Sequence, residues 1–574
     1  MRRREAMISG ALGAGSTLLT AGPAQSQLVF PDTLTPSIVA APSPPVTPWV
    51  APFNRMPWAR PVPPRRLRPP PDPAAHQRYE EFPPKRFYIQ HLTEFLWQYH
   101  PEPPYDRGSW SWGFNGITPG PTFRARYGDP VLVRRFNDLP PFGTGNVKFG
   151  LPSVTIHLHN AHTASESDGI PSDYFESGTF YDYHYANFPA GFDPRERLTT
   201  LWYHDHMLDF TAPNVYAGLS GIWLFFDDQD TGFERDPRPG AFRLPSGAYD
   251  VPMILHDVQF DQEGQVVWDF LDPAPENPDP PDGPPGGTYT VNGMIGDQVT
   301  VNRIIKPHLD VEPRKYRLRI INGGPSRFYQ LYLRVERPGA TEPQFIVIST
   351  DGNLLPQPIE AESIRLAVAQ RHDVIVDFSQ FNPGDHVFLV NRLVMRDDGA
   401  GPTGRLLDEG DPIVRFKVGH KRGADPSRIP DFLRALPPVD LSQVRRERVW
   451  NLDYDNGLWT INGNLFDPNR VDASIEQGSA EIWTFLNNGN AWSHPMHIHF
   501  EEFQILERNF EPLQIGDVQR SRKDDMWVGP NDQFKIFMRF RDFLGRYVMH
   551  CHNVVHEDNS MMIRFDVVPP GQSV

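Results

Sequence analysis

Three stretches of this chain carry the same alternation of apolar and polar positions. They are FNGITPGPTFRARYGDPVLVRRFNDL (residues 114–139), VNGMIGDQVTVNRIIKPHLDVEPRKYRLRIINGG (291–324) and INGNLFDPNRVDASIEQGSAEIWTFLNNG (461–489). Each opens on an Asn-Gly turn, continues in runs that change character at every second residue, and closes on a second asparagine-containing turn. A period of two belongs to strands with one buried face, so these stretches predict β-structure rather than helix. Their spacing of roughly 170 residues predicts three copies of one β-sandwich domain.

Composition strengthens that reading. Of 574 residues, 39 % are apolar and 12 % aromatic, enough for a large globular interior. The 62 prolines are about twice the usual share and favour loops and strand edges over long helices. Several are concentrated in residues 28–75, which predict either an extended arm wrapping a domain or a flexible leader, and in residues 421–445, which predict a linker. The net charge of −16, with no dense basic stripe beyond the N-terminus, excludes nucleic acid as a natural partner. No apolar run is long enough to cross a membrane as a helix. Residues 1–27, with Arg2, Arg3 and Arg4 before a weakly apolar stretch, resemble a twin-arginine export signal and predict a periplasmic or otherwise exported protein. A monomer is expected.

Ten of the 20 histidines fall in four motifs: TIHLH (His157, His159), LWYHDH (His204, His206), HPMHIH (His494, His497, His499) and HCHNVVH (His550, His552, His556). The first two follow the first repeat and the last two the third, whereas SRFYQLYLRV after the second repeat has no histidine. On a strand each His-X-His pair aims two imidazoles to one side and the residue between them to the other. Cys551, the only cysteine, therefore serves a different site from His550 and His552. A thiolate with two imidazoles and a distant thioether is a blue copper ligand set, supplied by His494, Cys551, His556 and either Met561 or Met562. Eight further imidazoles suit a copper cluster at the interface of the first and third domains; zinc would be satisfied with four ligands. A site accepting single electrons beside a cluster that collects them suits reduction of O2 to water, which also needs protons; Asp168 and Glu557 are the best-placed carboxyl groups.

Together the four motifs resemble the three-domain bacterial multicopper oxidases, the group of laccases and bilirubin oxidases, over residues 87–568. NGITPGPT resembles the family's first-domain entry, and TDGNLLPQP (350–358) with AQRHDVIVDFS (369–379) its ligand-free middle domain. The resemblance implies an all-β fold of three consecutive cupredoxin-like Greek-key sandwiches, at residues 76–240, 241–420 and 446–574. It further implies four copper ions. Type 1 copper would be held by His494, Cys551, His556 and Met561, the family placing its axial methionine ten residues after the cysteine. Type 2 copper would take His157 and His497, and the type 3 pair His159, His204, His206, His499, His550 and His552. Asp168 and Glu557 match the family's acids for oxygen reduction.

The resulting expectation is a copper-dependent oxidase that draws electrons from phenols, aromatic amines or a bilirubin-like pigment and delivers them to O2. Glu501, Glu502 and Asp558, near the ligands, raise the alternative of Mn2+ or Fe2+ as donor, since hard cations prefer carboxylates. A periplasmic copper-binding protein without turnover is the alternative from another class, although storage needs no bridge such as Cys551 between unlike sites.

Overall fold

The computed structural model describes residues 42–268, 291–337, 341–396, 399–455, 457–489 and 491–573. The export signal lies outside the described residues. The remainder forms three β-sandwiches in which one topology recurs. In the first, Arg86–Trp97 pairs in parallel with Val131–Asn137, while the intervening strand Gly120–Arg126 belongs to the opposite sheet. The same crossing joins Asp250–Val258 to Lys315–Asn322 past His308–Val311, and Val444–Asp455 to Ala480–Asn487 past Ala473–Glu476. These are Greek-key connections, so the fold is three cupredoxin-like sandwiches in series.

The repeats find a physical basis in their asparagines. Asn137, Asn322 and Asn487 end equivalent strands, are buried, and donate through Nδ2 to backbone carbonyls: Pro152 and Phe175, Arg327 and Leu366, and Trp492, Val528 and Gly529. Each satisfies carbonyls that the sheet leaves unpaired where the chain departs. The opening Asn-Gly pairs divide. Asn115 and Asn462 adopt left-handed φ values of 57° and 54° in tight turns, as expected. Asn292 does not; it lies in a bend outside any strand, a departure with consequences at the site.

Each sandwich has its own core, around Phe123 and Trp223, Leu318 and Leu331, and Trp483 and Phe565. A separate apolar seam joins the first two: Trp202, Ile222 and Leu224 pack on Ile254, Ile321 and Ala369. Beside it Arg317 pairs with Asp230 at 2.7 Å and with Asp373 at 2.6 Å, all buried. The proline-rich arm, from residue 42 on, wraps rather than hangs free. Its backbone bonds His308 of the second sandwich through Phe53, then Thr122 and Phe87 of the first through Ala59 and Val62. Just beyond it, the Gln77 side chain exchanges two hydrogen bonds with the Leu544 backbone in the third sandwich. Between Val418 and Leu441 the chain has no strand, but Leu433 is buried and Arg434 reaches Arg197 and Asp227 of the first sandwich.

The seam fixes the strand Thr200–Asp205, which carries His204. Ile254→Ala should therefore lower stability by about 2–5 kcal/mol. A reduced guanidinium midpoint for unfolding of the apo chain is the check.

Candidate metal centre

Strand register assembles half of the site in each terminal domain. Ile156–His159 pairs antiparallel with Thr200–Asp205 so that His157 opposes His204, while Leu158 opposes Tyr203 and both enter the core. Opposed residues share a face, which puts the imidazoles together on the other side. Asp205, between His204 and His206, points away from them; its carboxylate accepts from the Thr155 and Met207 N–H groups and from Asn214 Nδ2. In the third domain His494–Ile498 pairs with Gly545–Cys551, with His497 opposite His550 and Met496 opposite Cys551. Alternation thus separates Cys551 from both flanking histidines.

The eight imidazoles meet between the two domains as three groups. His206, His499 and His550 bring their Nε2 atoms within 3.1–3.3 Å of one another. His159, His204 and His552 form a second triad, and the Nε2 atoms of His157 and His497 lie 3.4 Å apart. On the other side of the Cys551 strand, Cys551 Sγ lies 3.6 Å from His494 Nδ1 and 3.5 Å from His556 Nδ1. Met561 packs in the same apolar cluster as Cys551, whereas Met562 packs with Phe466 and Val548.

The donor set fits cations and little else. Burial lowers His157, His159, His204, His497, His499, His552 and His556 well below the usual imidazole range and His494 to about 3, so these rings are neutral. Nitrogen lone pairs then face one another with no protein donor to share; His204 Nε2 and both ring nitrogens of His159 and His552 lack any hydrogen-bond partner. Burial likewise raises the Cys551 thiol well above its usual range, so a thiolate there requires a bound cation.

Comparison with known proteins agrees. Profiles of the multicopper oxidase family match residues 99–230, 263–405 and 438–571. A laccase of Bacillus subtilis is 32 % identical over 531 residues, covering 85 % of this chain and 95 % of that protein. A bilirubin oxidase of Albifimbria verrucaria is 31 % identical, covering 84 % and 76 % respectively. The chain belongs to the multicopper oxidases. Its fold matches the crystal structure of a laccase from Pediococcus acidilactici with a TM-score of 0.70 at 23 % identity, over 92 % of this chain and 95 % of that one.

This multicopper oxidase is thus a copper-dependent enzyme, which removes copper storage without turnover as a reading of the chain. Its acids lie behind the ligands. Asp168 ends the short helix Ser165–Asp168; its Oδ2 is 2.6 Å from His499 Nδ1 and its carbonyl 2.5 Å from His157 Nδ1. Gly169 follows with φ 85°, and a Cβ there would lie 2.5 Å from the His157 nitrogen, so only glycine lets this helix close on the ligand strand. Burial raises the Asp168 carboxyl well above its usual range. Glu557 bridges His206 and His550, each at 3.1 Å, and accepts from Thr211 Oγ1 at 2.5 Å. Burial would raise this carboxyl too, but the two imidazoles outweigh it and hold it well below the usual range.

The other acids take structural places instead of offering a surface for cations. Glu501 is buried against Arg541, 2.7 Å away, and the half-buried Glu502 has its carboxylate held by Arg522 and Asn353. Asp558 accepts from the Thr211 and Ala212 N–H groups that open the helix Thr211–Ala217.

Two features escaped the sequence reading. The Asn292 carbonyl accepts from His556 Nε2 at 2.6 Å, leaving Nδ1 to face Cys551; the Asn-Gly motif was the signal, taken for a turn. Trp459 lies over the same ring, with centroids 4.0 Å apart, and together they leave His556 fully buried. Periodicity offered no hint of either.

Cys551→Ser should abolish the thiolate-to-copper absorption while copper remains in the histidine cluster, since alternation keeps the two ligand sets apart. Visible spectroscopy with copper analysis of the purified variant is the check.

Proposed function

We propose that this oxidase withdraws electrons singly from phenols, aromatic amines or bilirubin-like pigments and uses four of them to reduce O2 to water. The observation that carries the reading is that Cys551 faces one ligand group while its covalent neighbours, His550 and His552, face the other. Bound copper supplies one-electron exchange at the cysteine site and oxygen reduction at the cluster. Type 1 copper would be held by His494, Cys551 and His556 with Met561 packed beside them, type 2 by His157 and His497, and a type 3 pair by the triads His159, His204, His552 and His206, His499, His550.

The chain's own contributions are positional and protonic. The two peptide units flanking Cys551 give the shortest covalent route between the sites. Asp168 holds a proton beside His499, and Glu557 sets the ring orientations of His206 and His550. Over the buried His494 and His556, Trp459 is backed by the half-buried rings of Tyr454 and Trp492, with centroids 4.8 Å and 5.2 Å from it. An aromatic cover supports flat organic donors. Burial of Glu501 and Asp558, and the pairing of Glu502 with Arg522, weaken the motive for Mn2+ or Fe2+. Export by the twin-arginine route, with copper already loaded, is part of the same proposal.

O2 uptake by the copper-loaded protein should proceed at least about tenfold faster in kcat/KM with a methoxyphenol or bilirubin than with Mn2+ or Fe2+. A metal ion as the better donor would reverse the substrate assignment. Asp168→Asn should lower kcat by roughly 10²–10⁴ without slowing anaerobic bleaching of the cysteine-site absorption by the donor. Because its pKa is raised, Asp168 stays protonated from acid pH upward and loses the proton only as pH passes that raised value. Wild-type kcat should therefore fall on the alkaline side, a limb absent from the asparagine variant's residual pH profile.

A further inference from the structure

The middle sandwich supplies no ligand among the described residues, yet its two motifs TDGNLLPQP and AQRHD converge on the copper cluster. Asp351 and Arg371 come from these motifs; Lys523 and Asp524 come from the third domain, just before the strand Asp525–Val528 that pairs with the His497 strand. Lys523 Nζ lies 2.6 Å from Asp351 Oδ2. The Arg371 guanidinium grips Asp524 with two parallel bonds of 2.8 Å and 2.7 Å, and the Arg371 N–H donates to Asp351 Oδ1 at 2.9 Å. All four residues are buried, two positive and two negative.

This network ends on metal ligands. The Asp524 carbonyl accepts from His497 Nδ1 at 2.8 Å, and Asp524 Oδ2 lies 3.4 Å from His159 Nε2. It also holds the first domain's ligand strands. Asn160, directly after His159, donates to the Asp351 carbonyl at 2.9 Å, and Arg371 Nε donates to Thr200 at the start of the His204 strand at 3.3 Å.

Stability does not account for such an arrangement. Buried ion pairs contribute little over well-packed apolar groups of the same shape, because desolvation offsets their attraction. What they supply is direction: a two-pronged guanidinium fixes the carboxylate plane, which sets a negative charge beside the His159 ring, and the Asp524 carbonyl fixes the His497 ring by a hydrogen bond. We propose that Asp351, Arg371, Lys523 and Asp524 are positioning residues, through which the middle domain sets the orientation of His159 and His497 and holds the first- and third-domain halves of the copper cluster in register. The inference rests on the copper reading of the eight-histidine cluster.

The test uses the full chain loaded with copper, comparing wild type with Asp524→Asn and with the charge-free pair Asp524→Asn plus Arg371→Met. Wild-type copper content and EPR test the copper reading itself. The variants are then followed by the thiolate-to-copper absorption, by the EPR of the cluster's mononuclear copper, and by release of cluster copper to a competing chelator. The proposal expects the thiolate absorption to persist, the EPR parameters to change, and cluster copper to be held about 10–100-fold more weakly, in the double variant as much as in the single. Unchanged EPR and chelator release in either folded variant would overturn it. Joint loss of both copper sites, or failure of both variants to fold, would also overturn it by reducing the network to a role in folding.

Discussion

Everything at this site follows from the period of the β-strand. Adjacent residues on a strand cannot face the same way, so His550-Cys551-His552 must present a thiol to one side and two imidazoles to the other. That obligation makes two unlike metal sites out of one segment and joins them by two peptide bonds. A helix would have fanned the three side chains around its axis and lost the division.

The second constraint is the cost of burying nitrogen lone pairs against one another. Of the eight imidazoles packed between two domains, His157, His159, His204, His497, His499 and His552 are held neutral by burial, and the lone pairs that converge at the centre gain a partner only when cations occupy it. The halves carry His157, His159, His204 and His206 on one side and His497, His499, His550 and His552 on the other. Neither domain alone could keep them in place. The seam around Trp202 and the ion pairs of Arg317 attach the first domain to the second, while Asp351 and Arg371 attach the second to the third at Lys523 and Asp524. A domain that supplies no ligand among the described residues thus contacts the ligand strands of the first domain through Asp351 and Arg371.

The acids divide by what surrounds them. Asp168 meets burial with no opposing cation and is held neutral; Glu557 meets two imidazole donors and is held ionised. The carboxylates of Glu501 and Glu502 are paired with Arg541 and Arg522. Four carboxyl groups within a short distance of the ligands thus have different chemistry for reasons that lie wholly in their neighbours.

The sequence by itself determined the strand period, the three-fold repeat closed by Asn137, Asn322 and Asn487, and the histidines with Cys551 that the fold gathers into candidate metal sites. These are legible because alternation and spacing are local properties of the chain. The pairing of motifs that lie hundreds of residues apart was decided only by the tertiary structure. So were the capping of His556 by Asn292 and Trp459 and the burial of Glu501 after His499, whereas the packing of Met561 beside Cys551 agrees with a choice already made on its spacing from the cysteine. Each of these depends on which side chains from distant segments come within a few ångströms, and on how much water they exclude. No pattern along a single strand encodes that.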